Sequence, residues 1–347
     1  MFRLEGWMPA PAVAALRKRI ARELGPEVLV AQVATEPWTR ADAPVELSNP
    51  RLFRPFELIT RAFPLPRYGS IDPTPFVAVF FPMFFGLMLG DVGYGLVLAA
   101  IAAVAMRRAR PASVAKAVAA MALACALFAI VFGVLFGELF GTLGREFGMR
   151  PLAFDRERAL VPFLVFTVAL GTVHIVLGLA LGLVGQWRQG HRRAALGRGL
   201  TILMIGLTVL ALLAAFRVLP SQLFTPAAIA LLVAFPALIA LEGVIAVIEL
   251  MSAFGHILSY ARIMALGTAS LMLAMVANQM VGAMGSALVG IAFALLFHLV
   301  NFGIGLFSPA IHALRLHYVE FFGEFYSPGG TTYRPLSHWR PTSAGAA

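Results

Sequence analysis

His298, Asn301, Ser308, His312 and Arg315 recur at steps of three, seven, four and three along the last long apolar segment of the chain. At 100° per residue they fall within an arc of about 100° on one helix, so an apolar helix carries a polar stripe with a permanent cation in it. Arg cannot escape an apolar setting by deprotonating, so such a residue faces a cavity or an acidic partner. A second ladder lies just upstream. Arg262 sits in the apolar run from Ile245 to Met280, where Glu242, Glu249, Ser252, His256, Ser259 and Ser270 occupy one side and Arg262 its edge. Two long helices, each with an Arg and a row of proton-capable side chains, are the walls expected of an ion path.

The remaining composition says what solvent those helices meet. Hydrophobic residues make up 60% of the 347 and charged ones only 13%, and the mean hydropathy is +0.86. That balance excludes an ordinary soluble domain and points to an α-helical polytopic membrane protein. The net charge of +10 does not point to nucleic acid, because the basic residues concentrate in short loops between apolar runs, as the positive-inside rule requires. The single cysteine, Cys125, rules out an intrachain disulfide and a Cys-based metal site. The N-terminus MFRLEGWMPAPAV lacks the apolar core of a cleavable signal peptide.

Residues 1–48 read as a small cytoplasmic α/β lobe. Phe2 to Met8 and Val28 to Val33 have strand-like patterns, and Ala12 to Glu23 reads as a helix bounded by Pro11 and by Gly25 and Pro26. A Pro-rich linker over 49–74 follows, then a membrane domain over 75–326 and a cytoplasmic tail over 327–347. The first apolar segment, 75–106, would be about 48 Å long as one helix, against a hydrocarbon core of about 30 Å. It holds Gly86, Gly90, Asp91, Gly93 and Gly95 in its middle. A turn at Gly90 to Gly95 puts the N-terminus and the basic loops Arg107–Lys116 and Arg188–Arg198 on one side. The compensated stretch Gly144 to Arg158 then faces the other. The expectation is therefore about eight transmembrane helices, the first two a short hairpin and the last two long and tilted, with both termini cytoplasmic.

Three stretches carry a family resemblance: FFPMFFGLMLGDVGYG (80–95), ILSYARIMALG (257–267) and HALRLHYVEFFGEFYSPGG (312–330). They resemble the signature stretches of subunit I of bacterial and archaeal V/A-type rotary ATPases, the counterpart of the V-ATPase a subunit. EGWMP (5–9) and the stretch from Asn49 to Phe76 resemble the end of that family's cytoplasmic arm. Family members carry several hundred residues of arm before the membrane region, and only its last lobe has a match here. The resemblance implies a non-catalytic stator subunit in a bacterial or archaeal plasma membrane, with no cofactor or metal of its own. Its implied partners are the proteolipid (c/K-type) ring, the central rotor with the ATP-hydrolysing sector, and peripheral stalk subunits reached directly or through a separate arm protein.

The resemblance also implies residue roles. Arg262 matches the essential Arg of the family's SYxR motif, and Arg315 the Arg of HALR. A fixed cation there favours the ionised ring carboxylate and blocks direct proton passage between two half-channels. With the expected topology, Glu249, Ser252, His256, Ser308 and His312 line the cytoplasmic half-channel, and Ser270, Asn278, His298 and Asn301 the outer one. Eukaryotic-type relatives have His at the position of Ser270 and Glu at that of Gly305, so Asp91 is a candidate substitute in the outer path.

Other readings of the same residues stand beside these. Ser252, Ser259 and Tyr260 either line a channel or bond neighbouring helices, and Asp91 either serves the path or caps the glycine turn. His174, alone on its helix, reads as a packed histidine, Glu138 as a helix-end residue, and Glu320 and Glu324 as groups meeting cytoplasmic water or Arg315. A secondary transporter holding an anionic substrate at the Arg pair is the alternative function, without the repeated halves such proteins show. There is no HExxH or GxSxG signature of a hydrolase.

Overall fold

The structure, a computed structural model, describes residues 4–25, 27–32 and 43–335. These divide into two compact units, one of residues 1–48, 64–70 and 327–347, the other of 49–63 and 71–326. In the first, Val13–Glu23 forms α1. Two isolated bridges, Val45 with Thr332 and Pro66 with Pro328, join its segments. The expected strands do not form among the described residues: 4–8 and 28–32 are irregular, while Phe2, Arg3 and Val33 lie outside them. Leu4, Trp7, Val28 and Leu29 are exposed, and an apolar alternation with no second strand to pair with does not hold a sheet. Among the described residues the lobe holds a helix and no strand.

The second unit begins with a belt rather than a free linker. Arg54–Phe56 and the short α2 (Glu57–Arg61) bring Asn49 Nδ2 to Asp72 at 2.8 Å and Thr60 Oγ1 to Thr74 Oγ1 at 2.9 Å. Tyr318 donates to the Ile59 carbonyl at 2.6 Å. The membrane helices follow: α3 (Thr74–Leu89) and α4 (Val92–Arg108), α5 (Val114–Phe136), the short α6 (Leu143–Glu146) and α7 (Leu160–Arg188). Then come α8 (Arg192–Ala215), α9 (Phe224–Glu242), α10 (Ile245–Leu258), α11 (Ala261–Ala283) and α12 (Ala287–Arg315). A π-helical turn, Leu316–Phe321, joins α12 to α13 (Phe322–Phe325).

Among the described residues, six helical segments are long and apolar enough to cross a membrane: Val114–Phe136, Leu160–Arg188, Arg192–Ala215, Ser221–Glu242, Ile245–Ala283 and Ala287–Phe325. The expected hairpin is present, but its arms of 16 and 17 residues are about 24 to 26 Å long, and neither reaches the length of those six. Much of α3 is buried, from Val77 through Phe84 to Leu89. It packs against α5, α11 and α12. A Cβ on Gly86 would meet the backbone of Phe128 at 2.6 Å, so only a glycine admits this approach of α3 to α5.

Turning the chain inside the bundle leaves two helix ends without water, so their free carbonyls and N–H groups need internal partners. Gly90 takes the left-handed conformation (φ +47°) that ends α3. Arg156, fully buried, reaches into that end: Nη1 donates to Leu87 O at 3.3 Å, and Nη2 to Gly90 O at 3.1 Å. Its Nε and Nη2 are held by the two carboxylate oxygens of Glu138, and its guanidinium lies 4.7 Å from the Phe136 ring centre. Burial pushes the Glu138 carboxyl up from the ordinary range, against the opposing pull of Arg156. Asp91 caps the start of α4, accepting from Tyr94 N at 3.0 Å, Phe140 N at 3.0 Å and Gly141 N at 2.7 Å. Glu138 and Arg156, read from sequence as a helix-end residue and a loop charge, are thus one buried ion pair.

Arg156→Leu or Glu138→Ala should each lower stability by about 3–5 kcal/mol, because the surviving charge stays buried and unpaired. The pair Glu138→Leu with Arg156→Leu should cost less than the sum of the single changes, yet not recover wild-type stability, since the carbonyls of α3 lose their donor. Thermal unfolding in detergent measures all of them.

Candidate ion-path site

Two polar clusters flank the helices α10 to α12. The first surrounds Arg262. Its Nη2 lies 3.2 Å from Glu320 Oε1, with the Glu320 side chain 1% exposed and that of Arg262 17% exposed. Glu320 is buried in the π-helical turn Leu316–Phe321, while Arg315, which precedes that turn, is exposed. Arg262 Nη1, Glu320 Oε2 and His312 Nδ1 make no hydrogen bond among the described residues. Arg315 and His312 lie near enough to Arg262 to interact with its charge.

Below Arg262, His256 Nδ1 meets Glu324 Oε1 at 3.1 Å and its Nε2 meets Ser252 Oγ at 3.3 Å. Arg198 donates to the Glu324 carbonyl. Glu320 and Glu324, expected at cytoplasmic water or against Arg315, are therefore partners of Arg262 and His256. Ser259 Oγ bonds back to Gly255 O at 3.0 Å, a local pattern that bends helices and fits the break between α10 and α11. Glu249 is exposed on α10 and Ser308 half-buried on α12, both outside this cluster.

Beside it, Tyr260 and His174 are fully buried. The Tyr260 hydroxyl meets His174 Nδ1 at 2.5 Å. The imidazole stacks on Phe321 at 4.0 Å between ring centres and lies 4.2 Å from Phe80. A Cβ on Gly171 would fall 2.4 Å from Tyr260 Cγ, so α7 can meet the tyrosine ring only with glycine there. His174 is indeed packed, with Nε2 unbonded among the described residues.

The second cluster gathers Ser270, Asn278, His298 and Asn301 and adds two residues from elsewhere. Ser270 Oγ donates to Asn301 Oδ1 at 3.3 Å, and Asn301 Nδ2 donates to Ser270 O at 2.9 Å and to the Tyr94 hydroxyl at 3.0 Å. Tyr94 meets His298 Nδ1 at 2.7 Å, and His298 Nε2 meets Asn278 Oδ1 at 3.0 Å. Asn278 Nδ2 then donates to Phe140 O at 2.9 Å and Thr142 Oγ1 at 3.3 Å. Asp91 sits beside this row with its carboxylate committed to the backbone of Tyr94, Phe140 and Gly141. A Cβ on Gly305 would lie 3.8 Å from Ser270 Oγ, so these two positions face each other.

Tyr94 and Thr142 escaped the sequence reading because they come from α4 and the loop after α5, outside the two helices whose periodicity was followed. The motif GDVGYG held the only signal for Tyr94.

The outward faces complete the geometry. Ala265, Ala269, Met272 and Val276 are exposed along one line of α11 that passes through Arg262, and Ile304, Phe307 and Ile311 are exposed on the line of α12 that passes through Arg315.

Residues 1–149 match the model of the V-type ATPase 116kDa subunit family. A-type ATP synthase subunit I of Thermococcus kodakarensis is 33% identical over 368 residues, covering 99% of this chain and 55% of that protein. Its counterpart in Archaeoglobus fulgidus is 31% identical over 401 residues, 96% of this chain and 58% of that protein. The one in Pyrococcus horikoshii is 30% identical over 336 residues, 87% and 48% respectively. The chain thus spans about half the length of the curated relatives it matches. Together these matches support the resemblance to subunit I of V/A-type ATPases.

Asn301 is fully buried and joins α11, α12 and α4. Asn301→Leu should cost about 1–3 kcal/mol, because Ser270 and Tyr94 lose a partner away from water. Hydrogen exchange at the backbone of α4 should quicken, and protection equal to wild type would contradict the joining role.

Proposed function

We propose that the chain, similar over nearly its whole length to subunit I of A-type ATP synthases, is the non-catalytic stator membrane subunit of such a rotary complex. It would couple ion passage through two half-channels to rotation of a proteolipid ring. The observation that carries this reading is Arg262: a cation on an otherwise apolar, exposed helix line, held by one inner carboxylate, with a polar row on either side. A ring carboxylate passing that line would meet a charge that favours its ionised form. The cluster of Ser252, His256, Glu324, Glu320 and His312 serves as the cytoplasmic half-channel, and Glu249 and Ser308, outside the hydrogen-bonded cluster, would line its approach. The row from Ser270 to Asn278 serves as the outer one, with Asp91 holding its wall. Arg315 provides the second cation.

The finer topology belongs to the same proposal: eight crossings, counting the hairpin arms as protein-surrounded spans, with both termini cytoplasmic. The partners are the ring, the peripheral stalk subunits, and the rotor with its ATP-hydrolysing sector. None of the relatives named above is a secondary transporter.

Arg262→Ala should abolish coupled transport in reconstituted vesicles while the chain still folds and assembles. Arg262→Lys should lose nearly as much, since an ammonium lacks the planar fork and sheds its proton when desolvated. Arg315→Ala should cost less. Normal pumping by Arg262→Ala would remove the reading. For the topology, single cysteines replacing the exposed Arg108 and Arg192 should react only with a cytoplasmic probe and one replacing the exposed Arg150 only from outside. Outside labelling at 108 would defeat the eight-span arrangement.

A further inference from the structure

The outer row is a hydrogen-bond circuit whose direction is determined at both ends. Asn301 Nδ2 and Asn278 Nδ2 each touch a backbone carbonyl, Ser270 O and Phe140 O, at 2.9 Å. A carbonyl only accepts, so both amides have their nitrogen placed there and cannot be flipped. Two consequences meet in the middle. Asn301 Nδ2 also points at Tyr94 Oη, so the phenol accepts on that side and its one proton goes to His298 Nδ1. Asn278 offers its oxygen to His298 Nε2, so that nitrogen carries the hydrogen. Each polar atom is satisfied with the imidazole neutral and its hydrogen on Nε2. The opposite tautomer would set Nδ1–H against the phenolic proton and leave two acceptors facing at Asn278.

We infer that Tyr94 is a positioning residue for ion entry: its hydroxyl holds His298 as the neutral Nε2–H tautomer, so the imidazole takes up a proton only when that hydroxyl lets go of Nδ1. This rests on the outer half-channel reading of the previous subsection. Protonation at Nδ1 would turn Tyr94 into a double acceptor, from Asn301 and from His298, and its own hydrogen would have to leave the row. The charged group facing His298 is Asp91, whose oxygens already accept three backbone N–H groups and offer that hydrogen no ready place. The Phe140 and Phe302 rings beside His298 and Tyr94 supply no polar alternative. The row therefore stands as a two-state element: locked with neutral His298, released with the imidazolium.

The test measures ion pumping by the complete complex in vesicles as a function of pH. Tyr94→Phe removes the donor and leaves the ring. Without the competing hydroxyl, His298 charges more easily, and the pH of half-maximal pumping should rise by about one unit, the size a single hydrogen bond supports. In a His298→Gln background, which cannot titrate, adding Tyr94→Phe should shift nothing further. A uniform loss at every pH, or a shift that persists without His298, would overturn the inference. Arg262→Ala run alongside separates the two levels: pumping by that variant would mean the stator reading has failed, whatever Tyr94 does. A second measurement needs no transport. Nitrogen-15 spectra of the histidine-labelled chain, with His298 identified by its loss in His298→Gln, should show the Nε2–H form in wild type and a mixture in Tyr94→Phe. An Nδ1–H form in wild type would overturn the inference.

Discussion

A helix that stops inside a membrane protein leaves carbonyls and N–H groups where no water can reach them, and this chain stops two helices at adjacent residues. The hairpin tip at Gly90 and Asp91 exists because each end has its own cap. The Arg156 guanidinium covers the carbonyls of α3, and the Asp91 carboxylate collects N–H groups from α4 and from the loop after α5. The charge of Arg156 is in turn neutralised by Glu138. Everything near the outer polar row hangs from this arrangement. The same Asp91 contacts that cap α4 hold Phe140 and Gly141, and the Phe140 carbonyl is where the row ends. Caps and row share a wall.

The inner cluster solves a related problem with different means. Arg262 cannot lose its charge, and on a largely buried side chain it needs a counterion. Glu320, buried in the π-helical turn, supplies one. Buried pairs of this kind add little to stability by themselves; their consequence is that Arg262 has a resident counterion, whereas Arg315 makes no ion pair among the described residues.

Which of these features were legible in advance follows from where the signal lives. Ser270, Asn278, His298 and Asn301 are grouped by the resemblance together with the expected topology, and hydrogen bonds through Tyr94 join them in one row. The hairpin turn was readable because glycines cluster in a segment too long for one crossing. Arg156 left no trace, because its role depends on a loop folding back under carbonyls contributed some seventy residues earlier. Glu320 reads from sequence as meeting cytoplasmic water or Arg315, because its partner, Arg262, comes from a separate helix that local sequence does not bring near. Of the expected N-terminal strands, the described residues 4–8 and 28–32 are irregular, because a local alternation does not by itself supply a pairing edge. Tyr94 was visible as a residue of a motif, yet its contact with His298 spans more than two hundred positions.

Gly267 adds a last point. A Cβ there would come within 2.9 Å of Arg156 Nη1, so α11 leans its bare backbone on the guanidinium, five residues from Arg262. Sliding α11 by one turn, about 5.4 Å, would bring Ile263 or Leu271 to that spot, and neither fits beside a buried cation. The helix has one axial register. How near α11 and the buried guanidinium can come is thus set by one missing methyl group.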